Sequence, residues 1–133
     1  MKVLVVEDIP KVADVLSEFL KIMGFCPQTA FDAESALKKL QKNKFAFLVI
    51  DGNLPDKDGP SLVKEIKRTY LHIPILGISS NFYSQAFLKA GANAFLLKPF
   101  TFAEFKQRIE KIINSHYVLF NNKLFPFSPQ VIK

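Results

Sequence analysis

The chain of 133 residues carries 18 Lys and Arg against 12 Asp and Glu, a formal net charge of +6, with 49% hydrophobic residues and one cysteine. That length holds one compact domain whose core can dispense with disulfides and structural metals, and it excludes a second folded domain. A single thiol excludes an intrachain disulfide and the multi-thiol metal sites, and no apolar run is long enough to span a bilayer.

The opening MKVLVVED meets acidic residues after four apolar positions, which lacks the extended apolar stretch of a signal peptide, so a soluble, cytoplasmic protein with no membrane contact is expected. Lys2 to Val6 reads as a β-branched strand. Pro10 suits a first helical turn, and Val12, Leu16, Phe19, Leu20 and Met23 then recur at helical spacing. Cys26 to Ala30, between Gly24 and Asp32, is a weaker strand, with Cys26 expected as a small buried residue. Asp32 caps a helix whose apolar side is Ala36, Leu37 and Leu40.

Phe45 to Ile50 is the next apolar strand. Leu62, Val63 and Ile66 mark a helix after Gly59, and Pro74 to Ile78 and Ala94 to Leu97 are two further strands. Thr101 and Glu104 form a capping box for a last helix with Phe102, Phe105, Ile109, Ile112 and Ile113 buried, ending near Ser115. Beyond His116, Val118 to Phe120 and Leu124 to Phe125 flank a turn as two short strands. The chain therefore divides into a domain over 1–116 and a C-terminal extension over 117–133, either a hairpin or the start of a linker. Lysines and arginines are dispersed over three helices as solvated faces, so nucleic-acid binding by this domain is not expected.

Strand and helix alternate five times, the pattern of an α/β fold with an open parallel sheet covered on both faces. Such sheets place function beyond the carboxyl ends of their strands. The residues found there are Glu7 and Asp8, then Asp51, Ser79 and Lys98. Three carboxylates held together repel one another unless a cation neutralises them, and Mg²⁺ takes oxygen ligands of this type. An Asp carboxylate can also act as a nucleophile toward phosphorus when metal and ammonium offset the incoming charge.

The motifs ED at 7–8, DGNLPDKDG at 51–59, ISS at 78–80 and GANAFLLKPF at 91–100 resemble the receiver domains of two-component response regulators, the CheY-like superfamily, over about residues 1 to 116. The resemblance implies a flavodoxin-like, doubly wound, five-stranded parallel sheet of order 2-1-3-4-5 with five helices. It makes Asp51 the phosphoacceptor, with Glu7, Asp8, Asp51 and the backbone carbonyl of Asn53 holding Mg²⁺ or Mn²⁺. Lys98 becomes the ammonium that contacts the phosphoryl group, Ser79 and Phe95 the switch residues, and Pro99 a cis-proline. The implied donor is a histidine kinase or histidine phosphotransfer protein, and the output runs through a downstream protein or an output domain. On this reading the domain is not an enzyme in the usual sense, since its substrate is itself.

Several positions depart from the family's pattern. Ser80 stands where a small apolar residue is usual, and Phe95 lacks the hydroxyl of the tyrosine often found there. Only eleven residues separate Ser79 from Gly91, so the fourth helix is expected to be short or shifted. These departures leave a second reading, a pseudo-receiver that signals by protein binding without phosphate. A dehalogenase-type phosphatase would want a second Asp where Asn53 stands, and a flavin protein would want a phosphate-cradling loop where Glu7 and Asp8 stand.

Overall fold

The computed structural model of the chain describes residues 1–80, 83–120 and 123–126, and for 117–120 and 123–126 the backbone alone. Its central strands are almost wholly apolar because both of their faces are covered. They are β1 (Lys2–Val6), β2 (Cys26–Ala30), β3 (Phe47–Asp51), β4 (Ile75–Ser79) and β5 (Ala94–Leu97). All pair in parallel in the order β2-β1-β3-β4-β5. The helices between and after them are α1 (Pro10–Ile22), α2 (Ala33–Lys42), α3 (Gly59–Thr69), α4 (Ser84–Ala90) and α5 (Phe102–His116). This is the covered parallel sheet expected from the alternation, in the flavodoxin-like order that the resemblance implied, and α4, with seven residues, is short.

Successive strand side chains point to opposite faces, which divides the core in two. Leu4, Val6, Leu48, Ile50 and Ile75 face α2, α3 and α4, where Ala36, Leu40, Leu62, Ile66 and Phe87 complete the layer. Val3, Val5, Phe47, Val49, Leu76 and Ile78 face α1 and α5, meeting Leu16, Leu20, Phe105, Ile109 and Ile112. Gly77 falls on the first of these faces, and a Cβ there would stand 2.5 Å from the ring of Phe87. The missing side chain is what lets that fully buried ring lie on the sheet.

Helix starts are fixed by local chemistry. Asp32 accepts a hydrogen bond from Ser35 N at 2.7 Å and Asp58 one from Ser61 N at 2.8 Å, as N-caps. At α5 the Thr101 hydroxyl accepts from Glu104 N and the Glu104 carboxylate accepts from Thr101 N, a reciprocal capping box. Gly91, at φ 113°, turns the chain out of α4 in the left-handed region that favours glycine.

Cys26 is exposed and not buried as the sequence suggested. It opens β2, which pairs with β1 on one side only, and the first residue of an edge strand lies beyond the helices that cover the sheet. Past α5, β6 (Tyr117–Phe120) and β7 (Lys123–Pro126) pair antiparallel, Phe120 opposite Lys123. How the side chains of the extension pack, and residues 127–133, lie outside what is described.

Candidate functional site

Backbone bonds between neighbouring strands bring the polar residues to one level. Glu7 N donates to Ala30 O at 3.0 Å, Gly52 N to Ile78 O at 2.8 Å and Lys98 N to Ser79 O at 2.9 Å. The register sets Val6 beside Ile50, Asp51 beside Ile78 and Ser79 beside Leu97, so the chain ends of β1, β3, β4 and β5 rise together. The crevice opens where the strand order reverses across β1, the place at which such sheets bind their ligands.

Glu7, Asp51 and Ser79 are buried, Asp8 and Lys98 are half-buried, and Asn53 is exposed. Lys98 Nζ donates to Glu7 Oε1 and to Asp51 Oδ1, each at 2.8 Å, as an ion pair with both carboxylates. The other oxygen of Asp51 accepts from Asn53 N at 3.0 Å. Ile9 N reaches Glu7 Oε2 at 3.3 Å. The Lys98–Pro99 peptide is cis.

Burial raises the pKa of the Glu7 carboxyl above its ordinary 4.5, and the hydrogen bond from Lys98 only partly offsets that. Burial also works against charge on Lys98, but the bonds to Asp51 and Glu7 and their negative charges together hold its ammonium above the usual 10.5. One ammonium thus serves two carboxylates, with Asp8 alongside.

Glu7, Asp8 and Asp51 each offer a carboxylate oxygen, and these atoms lie within 4.8 Å of one another. Octahedral Mg²⁺, with oxygens at about 2.0–2.1 Å, sets opposite ligands roughly 4.2 Å apart. A small side-chain rotation closes that difference, and the donors are all hard oxygens, so the residues fit a divalent cation of this class.

Of the residues named from the sequence, Glu7, Asp8, Asp51 and Lys98 are brought together, Ser79 stands beside Gly52 and Asn53 meets Asp51 through its N–H, whereas Phe95 lies apart. That last residue lies half-buried one layer away, its ring 5.8 Å from the ring of Phe87 and its carbonyl accepting from Arg108 Nε at 3.2 Å. Ser80 is exposed and lines, with Val12, Phe19, Lys98 and Phe100, an apolar cleft of about 420 Å³ between α1 and the loop after β5.

Sequence reasoning missed three neighbours of the site. Asp56, inside the DGNLPDKDG motif, accepts from Ala33 N and Glu34 N at 3.0 Å each and so ties the loop after β3 to the start of α2. Its partners are more than twenty residues upstream. Gly52 and Tyr83 touch across the crevice wall: a Cβ on Gly52 would stand 2.5 Å from Tyr83 Cδ2. A glycine directly after Asp51 was the available signal.

The molecule is thus a doubly wound α/β domain with acidic residues and a lysine gathered at its switch point. The chain belongs to the response regulator receiver domain family, whose pattern it matches over residues 3–110. It is 34% identical over 118 residues to the chemotaxis protein CheY-3 of Vibrio cholerae, covering 84% of this chain and 91% of that protein. Among solved structures it resembles a putative response regulator from Chloroflexus aurantiacus, with a TM-score of 0.80, 33% identity, and 84% and 95% of the two chains covered. It also resembles the response regulator TrrA of Thermotoga maritima, solved in complex with Mg²⁺ and BeF, with a TM-score of 0.78, 27% identity, and 84% and 97% covered. Among the described residues, no helix is long and apolar enough to cross a membrane.

Proposed function

We propose that this domain is a phosphoacceptor switch of a two-component phosphorelay, in which Asp51 takes a phosphoryl group from a phosphohistidine donor, a histidine kinase or histidine phosphotransfer protein. The observation that carries this reading is Lys98 Nζ at 2.8 Å from both Asp51 and Glu7, with Asp8 in the same cluster. A carboxylate flanked by an ammonium and a cation-holding pair is the arrangement that nucleophilic attack on a phosphoryl group needs.

An Asp51 carboxylate oxygen forms the bond to phosphorus while the bond from phosphorus to the donor's imidazole nitrogen breaks. The electron pair leaves with that nitrogen. Lys98 supplies a charge-assisted hydrogen bond to the transferred group. Glu7, Asp8, Asp51 and the Asn53 carbonyl would hold Mg²⁺ or Mn²⁺, which when bound offsets negative charge on the phosphoryl oxygens. The apolar cleft beside Lys98, with Val15 about half exposed on its α1 wall, suits the surface of a docked donor. Ser79 then turns toward the phosphoryl oxygens, and the change passes through packed aromatics, Phe95 among them, to a surface read by a downstream protein or an output domain. The domain is consumed and regenerated as its own substrate in place of turning over another molecule, and we place it in the cytoplasm with its donor.

The test is to incubate the protein with acetyl phosphate and Mg²⁺ and record the intact mass. One phosphoryl adduct is expected, lost in Asp51→Asn and on chelation of the metal. A folded, Mg²⁺-binding protein that forms no adduct would instead be a pseudo-receiver acting by protein contact alone.

A further inference from the structure

We propose that Tyr83, immediately ahead of α4, is a positioning residue of the phosphorylation site, carrying displacement of the Ser79 hydroxyl directly into α4. The inference rests on the phosphoacceptor reading of Asp51 and extends it to the route by which the change leaves the crevice.

Its basis is the space above Gly52, the residue next to Asp51. A Cβ built there would stand 2.5 Å from Tyr83 Cδ2, 2.8 Å from Ser79 Oγ and 2.9 Å from Ser79 Cβ. No ordinary Cβ tolerates such distances, so the tyrosine ring and the serine side chain share the place that a side chain at 52 would fill. Ser79 is 1% exposed. In an interior packed to this density, a hydroxyl changes position only if its neighbour gives way. Tyr83 is half-buried and has solvent on one side into which it can yield.

The ring is coupled to a helix whose start depends on it. No side chain caps α4, and the first bond of its opening turn runs from Phe87 N to Tyr83 O at 2.8 Å. With seven residues, α4 has little intrinsic stability and is held by tertiary packing. Tyr83 and Phe87, four apart and so on one side of the turn, rest on two glycines, Gly52 and Gly77. The tip of the Phe87 ring also lies 2.6 Å from where a Cβ on Gly59 would be. Phe95 meets this assembly through the ring of Phe87, whereas Tyr83 touches Ser79's own wall of the crevice. The shorter route from the site to α4 is therefore Tyr83.

The chain's composition supplies the probe, since it has three tyrosines and no tryptophan. Protein labelled with 3-fluorotyrosine is titrated with beryllofluoride and Mg²⁺, a stable stand-in for the phosphoryl group, and followed by fluorine and amide NMR. Tyr83→Phe identifies the Tyr83 resonance by its disappearance. That resonance is expected to shift on binding, while Tyr70, bonded to Leu40 O at the other end of the sheet, stays in place. In Tyr83→Ala the amides next to Asp51 should still respond, but the response of the Ser84–Ala90 amides should be lost. Tyr83→Phe should keep that response.

A Tyr83 resonance that stays fixed while beryllofluoride is bound overturns the proposal, and so does a full α4 response in Tyr83→Ala. The fluorine shift is read with the tyrosine in place, so it decides the matter even if the alanine variant loses α4 altogether. Failure of the unsubstituted protein to bind beryllofluoride is a separate result, which removes the phosphoacceptor reading itself.

Discussion

Lys98 carries the electrostatics of the crevice at the level of a single residue. Its side chain is 22% exposed, and its ammonium bonds to two carboxylates that are themselves buried. Because its pKa is raised above 10.5 in the folded protein, the stabilisation that Lys98 contributes is complete below that pH while its carboxylate partners are ionised, and on the alkaline side it is lost as pH climbs through the folded value. Lys98→Met removes one charge-assisted hydrogen bond to the transferred group, worth about 1.5–3 kcal/mol. The rate of Asp51 phosphorylation by acetyl phosphate is accordingly expected to fall roughly 10- to 150-fold. Mg²⁺ affinity, followed by tyrosine fluorescence, should not fall, since Nζ engages oxygens of Glu7 and Asp51 that the ion would use. Weaker Mg²⁺ binding in the variant would mean that Lys98 shapes the ion site and does more than serve the phosphoryl group.

Between elements, the tie from the loop after β3 to α2 is the feature that most affects the site. Ser35 N is capped by Asp32, and Ala33 N and Glu34 N are capped by Asp56 from across the chain, so three of the free donors at the α2 start are satisfied. Asp56→Ala is expected to cost about 0.5–2 kcal/mol in urea unfolding at neutral pH, the usual range for losing a cap. The backbone bonds, that from Ala33 first, hold the Asp56 carboxyl below its ordinary 3.8. Its contribution is then full above that pH and fades as pH drops through the lower folded value, so the gap between protein and variant should close in acid. A gap that persists there would assign the effect to loop packing and not to the carboxylate. The same helix start illustrates how far local sequence reaches. Asp32 three residues before Ser35 and Thr101 three before Glu104 are legible because cap and partner are neighbours in the chain. Asp56 was not, because its partners are distant in sequence. The short α4 followed from the spacing of Ser79 and Gly91, whereas the seat of Phe87 on Gly77 exists only once β4 and α4 are packed together.

For the whole molecule, alternation of strand and helix was enough to foresee an open parallel sheet covered on both faces. The strand order followed from the resemblance carried by the motifs, and the residues after each strand pointed to Glu7, Asp8, Asp51 and Lys98 as groups that meet. The sequence placed β3 at Phe45 to Ile50, but the strand runs Phe47–Asp51, which takes Asp51 into the sheet and leaves it 5% exposed. That shift matters energetically, since a carboxylate at the end of a covered strand loses solvation as well as gaining neighbours. With Glu7 also fully buried and Asp8 beside them, the crevice gathers, among the described residues, three carboxylates against the one ammonium of Lys98. A divalent cation bound by the folded chain and not by the unfolded one should therefore stabilise the entire domain. At one hundred times its Kd, Mg²⁺ is expected to raise the unfolding free energy by about 2.7 kcal/mol. Urea unfolding with and without Mg²⁺ measures this increment. Asp8→Asn keeps the shape of the least buried member of the cluster and removes its charge, so the increment should collapse in that variant. An increment of equal size in Asp8→Asn would place the stabilising ion away from the crevice and dissociate it from the chemistry of Asp51.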